Sequence, residues 1–206
     1  MDKPFKMDFC DTLLYHSIVA VISLLLILIL YFTGTDFGRA VAAMAFFLLF
    51  LTLIIGPIMK IWKPFSEASP WDLPWSCRKE LGIWFMIFSV SHMLLVLDSR
   101  YWGALGYSTG MRFSDMIAFI VIFWALVLTV ASFGRVIEFL GISAWRWLYR
   151  FTYIIFYLTG AHVISRADRP LDWLRWAYLF MIVLVILLQS VAFIKTVANY
   201  RKTMVR

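Results

Sequence analysis

The feature that most constrains this chain is a succession of apolar blocks, most of them about 18–22 residues long, the length a helix needs to cross the hydrocarbon core of a bilayer. In lipid every backbone N–H and C=O must find a partner within the protein, so such blocks fold as helices. Of 206 residues, 63% are hydrophobic and 15% charged. A soluble domain carries roughly 25% charged residues. The expected fold is all-α: an integral membrane six-helix bundle forming one domain, residues 1–206, with no stretch left for a soluble domain of ordinary size. The net charge of +7 is spread over block ends and makes no soluble basic surface, so nucleic acid is not an expected partner. The lipid bilayer is.

The spans read as residues 13–32, 40–59, 81–97, 116–133, 149–164 and 174–194. The third and fifth are short and rich in aromatic and small residues, as suits helices packed closely inside a bundle. Turn signals separate the spans: Thr33-Gly-Thr-Asp-Phe-Gly38, the stretch Lys63 to Pro74 with three prolines, and Gly103 to Gly110. Tryptophans 62, 71, 75, 102, 145, 147, 173 and 176 fall near span ends, where an aromatic belt is expected. The first block follows a weakly charged start without a small-residue cleavage site and is expected to stay as a helix.

Lysine and arginine set the expected orientation. Thirteen lie on one side: Lys3, Lys6, Lys60, Lys63, Arg78, Lys79, Arg135, Arg146, Arg150, Lys195, Arg201, Lys202 and Arg206. Six lie on the other: Arg39, Arg100, Arg112, Arg166, Arg169 and Arg175. The bias puts both termini in the cytoplasm. Cys10 and Cys77 then face the reducing side, and their spacing suggests neither a zinc site nor a thiol redox motif.

Two stretches carry the chemistry. Cys77-Arg-Lys-Glu-Leu-Gly-Ile-Trp-Phe-Met-Ile-Phe-Ser-Val-Ser-His92 and Trp147-Leu-Tyr-Arg-Phe-Thr-Tyr-Ile-Ile-Phe-Tyr-Leu-Thr-Gly-Ala-His162 both begin basic, run apolar and reach one histidine. Only three histidines occur in the chain. His92 lies 11 residues into its span and His162 lies 13 into its own; at 1.5 Å per residue their depths differ by only ~3 Å. The third and fifth spans run in the same direction, so both imidazoles sit in one plane nearer the outer face. Imidazole is a common axial ligand of haem iron. His92 and His162 therefore read as the metal ligands of one haem b.

On the face of His92 lie Gly82, Phe85, Ser89 and Val96; on that of His162 lie Ile155, Leu158, Thr159 and Arg166. Gly82 and Gly160 are expected to leave room for a flat macrocycle. Arg166 and Arg100 lie beyond the histidines toward the outer surface, where a guanidinium suits a haem propionate. The alternative for each histidine is a hydrogen bond to a neighbouring helix. His16 reads as interfacial, and Gln189 as a polar contact between helices. Asp98, Asp115, Glu80 and Glu138 lie at span ends, which argues against proton pumping or ion transport. No Gly-rich phosphate loop, GxSxG or HExxH occurs, so any flavin or quinone would come through a partner or the membrane pool.

The run Arg78-Lys-Glu-Leu-Gly-Ile-Trp-Phe-Met-Ile-Phe-Ser-Val-Ser-His92 resembles the third helix of the ferric reductase-like transmembrane domain family. Leu140-Gly-Ile-Ser-Ala-Trp-Arg-Trp-Leu-Tyr-Arg-Phe-Thr-Tyr, ending at His162, resembles the fifth, and Leu51-Thr-Leu-Ile-Ile-Gly-Pro57 the end of the second. The resemblance covers about residues 38–190. It is strongest to short bacterial members without a flavin domain, similar to the haem-binding subunit of the periplasmic methionine sulfoxide reductase. It implies a bacterial inner-membrane protein that carries electrons across the bilayer through haem b. Two-haem members have a further histidine about four turns before each of these; here those positions hold Arg78/Lys79 and Leu148/Tyr149. In the methionine sulfoxide reductase subunit the Tyr149 position is usually histidine. One haem is therefore expected.

The expectation is a membrane cytochrome b, the electron-transfer subunit of an oxidoreductase rather than a complete enzyme. Its donor would be a cytoplasmic flavin reductase or membrane quinol, and its acceptor an outer-side protein. The competing class is a haem-free membrane scaffold or assembly subunit of a partner complex. A small-molecule transporter is disfavoured by the lack of a mid-membrane charge or an obvious internal repeat.

Overall fold

A computed structural model of the chain describes residues 9–62, 73–97, 113–165 and 173–204. These are helical nearly throughout, with no strand among them. The helices are α1 (Phe9–Phe32), α2 (Phe37–Ile61), α3 (Leu73–Leu97), α4 (Phe113–Ala131), α5 (Gly134–Leu140), α6 (Ile142–Tyr149), α7 (Phe151–Ser165) and α8 (Trp173–Met204). Five of them, α1, α2, α3, α4 and α8, are long and apolar enough to cross a membrane. The architecture is that of a multi-pass membrane protein.

The sixth expected span is where sequence and structure part. Residues 149–164 were expected to cross as one helix, but α7 has 15 residues, about 22 Å of rise, against a core of ~30 Å. The preceding stretch, expected as a loop, folds into α5 and α6. Gly141, at φ 77°, makes the corner between them, a conformation that glycine adopts without penalty. Arg150 alone separates α6 from α7, and its own dihedrals (φ −65°, ψ −24°) are helical.

Other elements outrun the expected spans. α3 begins at Leu73, not near residue 81, and α8 continues to Met204. Apolar blocks record only the part of a helix that lies in hydrocarbon; the backbone ladder continues into the headgroup region, where polar side chains are at no disadvantage.

α2 is the hub. Of its apolar window 61% is buried, against 11% for α1 and 28% for α3, so the other helices pack around it. Asp36 caps its start, the carboxylate accepting from the Arg39 N–H at 3.3 Å. Small residues Ala40, Ala43 and Ala45 let neighbours approach, and Phe46, Leu48, Leu49 and Leu53 fill the centre. Phe46 stacks on Phe156 of α7 at 4.9 Å between centroids and meets Tyr178 of α8 edge-on at 5.2 Å. Lys195 of α8 closes the far end of α2, its Nζ donating to the Ile61 carbonyl at 2.6 Å.

Within this packing α2, α3, α4 and α7 form a ring. α2 touches α3 and α7, and α4 touches the same two, while nowhere do α3 and α7 bring Cα atoms within 8 Å of each other. α1 packs outside against α2 and α3, and α8 outside against α2 and α7. The outward faces of α1 and α8 expose Leu14, Val21, Leu25, Phe180, Leu187 and Phe193, among others. A continuous apolar exterior of this kind fits lipid, not water.

Candidate functional site

The two histidines stand at the ends of α3 and α7, the opposed helices of the ring. Each is half-buried. His92 Nδ1 lies 2.9 Å from the Gly38 carbonyl in the first turn of α2. His162 Nδ1 lies 2.7 Å from the Ser114 carbonyl in the first turn of α4. A carbonyl only accepts, so in both contacts Nδ1 is the donor. A backbone carbonyl holding one ring nitrogen is the usual way a protein fixes the tautomer of a metal-ligating histidine. It is also the helix-to-helix hydrogen bond that a purely structural histidine makes.

Depth is fixed by a contact at the other end of the ring. The Arg78 guanidinium of α3 lies over the Tyr149 ring, 4.3 Å from its centroid. From there His92 is 14 residues on and His162 is 13, which places both ~20 Å away at one end of the bundle. Counted from this contact instead of from the span ends, the two histidines differ by about one residue of helical rise.

Arg78 and Tyr149 belong to the two pairs of positions, Arg78/Lys79 and Leu148/Tyr149, at which a further histidine would be expected of a two-haem chain and is absent. Here they meet across the ring. Arg78 Nε also donates to the Thr52 carbonyl at 3.0 Å. Pro57 breaks the ladder of α2 nearby, since a proline has no N–H for the carbonyl four residues back. Gly56 makes room for the guanidinium, which lies 3.7 Å from where its Cβ would be. A cavity of about 150 Å³ opens beside this pair, lined among others by Arg78, Gly82, Tyr149, Thr152 and Ser132.

The remaining predicted residues divide. Phe85 is buried and Ser89 half-buried on α3. The Thr159 hydroxyl is committed to its own helix, donating to the Ile155 carbonyl at 2.7 Å. Gly82 meets nothing within 4 Å of an added Cβ, as expected of a residue that leaves room. Gly160 does not behave so: its Cβ would lie 2.7 Å from Ile182 Cδ1 and 3.8 Å from Phe46. It seats α8 against α7 and makes no space for a macrocycle. Gln189 accepts from the Tyr157 hydroxyl at 3.4 Å, a polar contact between α7 and α8 as expected. Arg100 and Arg166 lie outside the described residues.

No protein-family model matches the chain. Among the described residues no group of three or more His, Cys, Asp and Glu side chains gathers into a metal site. A bis-imidazole haem needs only two such ligands on separate helices, and His92 on α3 and His162 on α7 match it in ligand type. The cavity described above lies at the other end of the bundle, beside Arg78 and Tyr149.

Sequence reasoning missed two features: the Arg78–Tyr149 contact and the burial of Glu80. The first was legible in part, because both residues had been picked out as substitutes for histidine. The second was not, since a charge at the start of an apolar block normally marks an open interface.

Proposed function

We propose that the chain is a membrane cytochrome b, carrying electrons across the bilayer through one bis-histidine haem to an acceptor on the outer side. The observation that carries this reading is the placement of His92 and His162. They sit on two opposed helices whose Cα atoms stay more than 8 Å apart, each with Nδ1 within hydrogen-bond distance of a carbonyl of the next helix, and counting helical rise along the chain gives them similar depths. His92 and His162 would supply the two axial ligands, and Arg166 and Arg100 would hold propionates. Phe85, Ser89 and Thr159 share the ligand faces. The bound haem supplies one-electron chemistry; the chain fixes the ligands and excludes water from the iron.

In this reading α6 and α7 together make the sixth crossing, since Arg150 between them keeps helical dihedrals. Both termini face the cytoplasm of a bacterial cell, and the histidine end faces outward. The chain acts as the electron-transfer subunit of an oxidoreductase of the ferric reductase-like kind. A cytoplasmic flavin reductase or membrane quinol is the donor and a partner reductase outside is the acceptor.

The same two hydrogen bonds favour a second reading, a haem-free scaffold in which joining helices is all that the histidines do. The optical spectrum of the purified protein separates the two. A sharp α-band of low-spin haem b on dithionite reduction supports the cytochrome. Purified protein that remains colourless after expression with ample haem supports the scaffold.

A further inference from the structure

The other end of the bundle holds a carboxyl with no evident structural purpose. Glu80 lies seven residues into α3 and its side chain is 0% exposed. Neither Oε1 nor Oε2 has a hydrogen-bond partner among the described residues. The sequence places Glu80 at an open span end; the structure seals it between helices instead. The charges that bear on it are those of His16 on α1 and Lys79 beside it on α3. His16 is half-buried and Lys79 exposed. On the same two helices Ser23 Oγ and Trp84 Nε1 are also buried without a partner.

A carboxylate sealed from water with neither oxygen bonded is expensive, because its Born cost is offset only by good pairing. A neutral acid in the same place forgoes far less. Mere anchoring does not account for the residue, since anchoring would show as a bond to a neighbouring helix. A buried carboxyl within electrostatic reach of the half-buried His16 imidazole, on the helix packed against its own, is instead an acid with a base nearby.

We propose that Glu80 is a proton-exchange site, carried as the neutral acid in the seam between α1 and α3, with His16 as the base that relays its proton to the surface. In the transfer the Glu80 O–H bond breaks and an N–H bond forms on the His16 ring. The pair passes from neutral acid and neutral imidazole to carboxylate and imidazolium, with no change of net charge and no electron moved. Lys79 favours the charge-separated state from the carboxylate side. The imidazolium then releases the proton to water, and the reverse sequence reloads Glu80. This site is ~18 Å along α3 from His92 and does not rest on the haem reading.

The chain has only three glutamates, Glu67, Glu80 and Glu138, which makes the test direct. The full-length protein, labelled with ¹³C in its glutamate carboxyls, is reconstituted in phosphatidylcholine vesicles and examined by infrared spectroscopy at neutral pH. The expected result is the C=O stretch of a protonated carboxylic acid that shifts with the label, moves in D₂O and vanishes in Glu80→Gln. In His16→Phe the band should persist while its hydrogen–deuterium exchange slows by roughly a hundredfold, the low end of what a positioned acid–base partner contributes. No acid band in the wild-type protein overturns the proposal, and so does a band that never exchanges. Exchange unaltered in His16→Phe removes His16 from it. The wild-type measurement stands even where Glu80→Gln fails to fold.

Discussion

A methyl group at Gly160 would press on Ile182 at 2.7 Å, while one at Gly82 would meet nothing within 4 Å. The two glycines look alike in the sequence, each in an apolar helix that carries a histidine. They differ because sequence gives a residue's angular position on its own helix but not which neighbour that face meets. Gly160→Val should therefore lower the thermal midpoint in detergent, by an overpacking cost of about 1–3 kcal/mol, and Ile182→Ala should restore part of it. Gly82→Ala should leave the midpoint unchanged or raise it, since alanine in a helix interior is favoured by up to ~1 kcal/mol. If both substitutions lower the midpoint equally, the assignment of Gly160 to helix packing is wrong. The depths of His92 and His162, by contrast, can be compared by two counts along the chain, because helical rise is constant.

At the scale of elements, the first contact between the two histidine-bearing segments is the Arg78 guanidinium over Tyr149. It is tied to α2 through the Thr52 carbonyl. A planar guanidinium meets an aromatic face and a carbonyl at once, which an ammonium does not do as well. The one imidazole described near the level of this contact is His16 of α1, which has no second histidine to pair with, so the expected stoichiometry is one haem per chain. A pyridine haemochrome assay on protein quantified by amino-acid analysis should give close to one; a value near two would contradict it. The long elements α1, α2, α4 and α8 were readable from apolar length alone. α7 was not, because its boundary depends on the interruption at Arg150, and neither was the early start of α3, whose first turns lie outside the apolar block. That α2 is the hub was also hidden, since its apolar content matches that of the peripheral α1 and only packing tells them apart.

The whole molecule has two chemically different ends. One carries both histidines, beside the first turns of α2 and α4. The other carries Glu80, Arg78, Tyr149 and the Lys195 contact that closes α2. In the proposed reading the lysine and arginine bias puts the second end in the cytoplasm. A reporter active only in the periplasm, fused after Arg206, should accordingly be silent, and one active only in the cytoplasm should work; the opposite pattern would reverse the direction of electron flow proposed for the chain. The central claim is that one iron joins α3 and α7, two helices whose Cα atoms stay more than 8 Å apart.

The measurement that tests this most directly is the reduced-minus-oxidised spectrum of four single variants. His92→Ala and His162→Ala should each lose stable haem, because a ring of helices offering one axial ligand holds iron far less firmly. Arg166→Ala should retain haem more weakly, having lost one charge-assisted contact of about 1.5–3 kcal/mol. His16→Ala should match the wild type, since α1 carries that residue at the opposite end. A normal low-spin bis-imidazole spectrum in His92→Ala would contradict the account and leave the two histidines as hydrogen bonds between helices and nothing more.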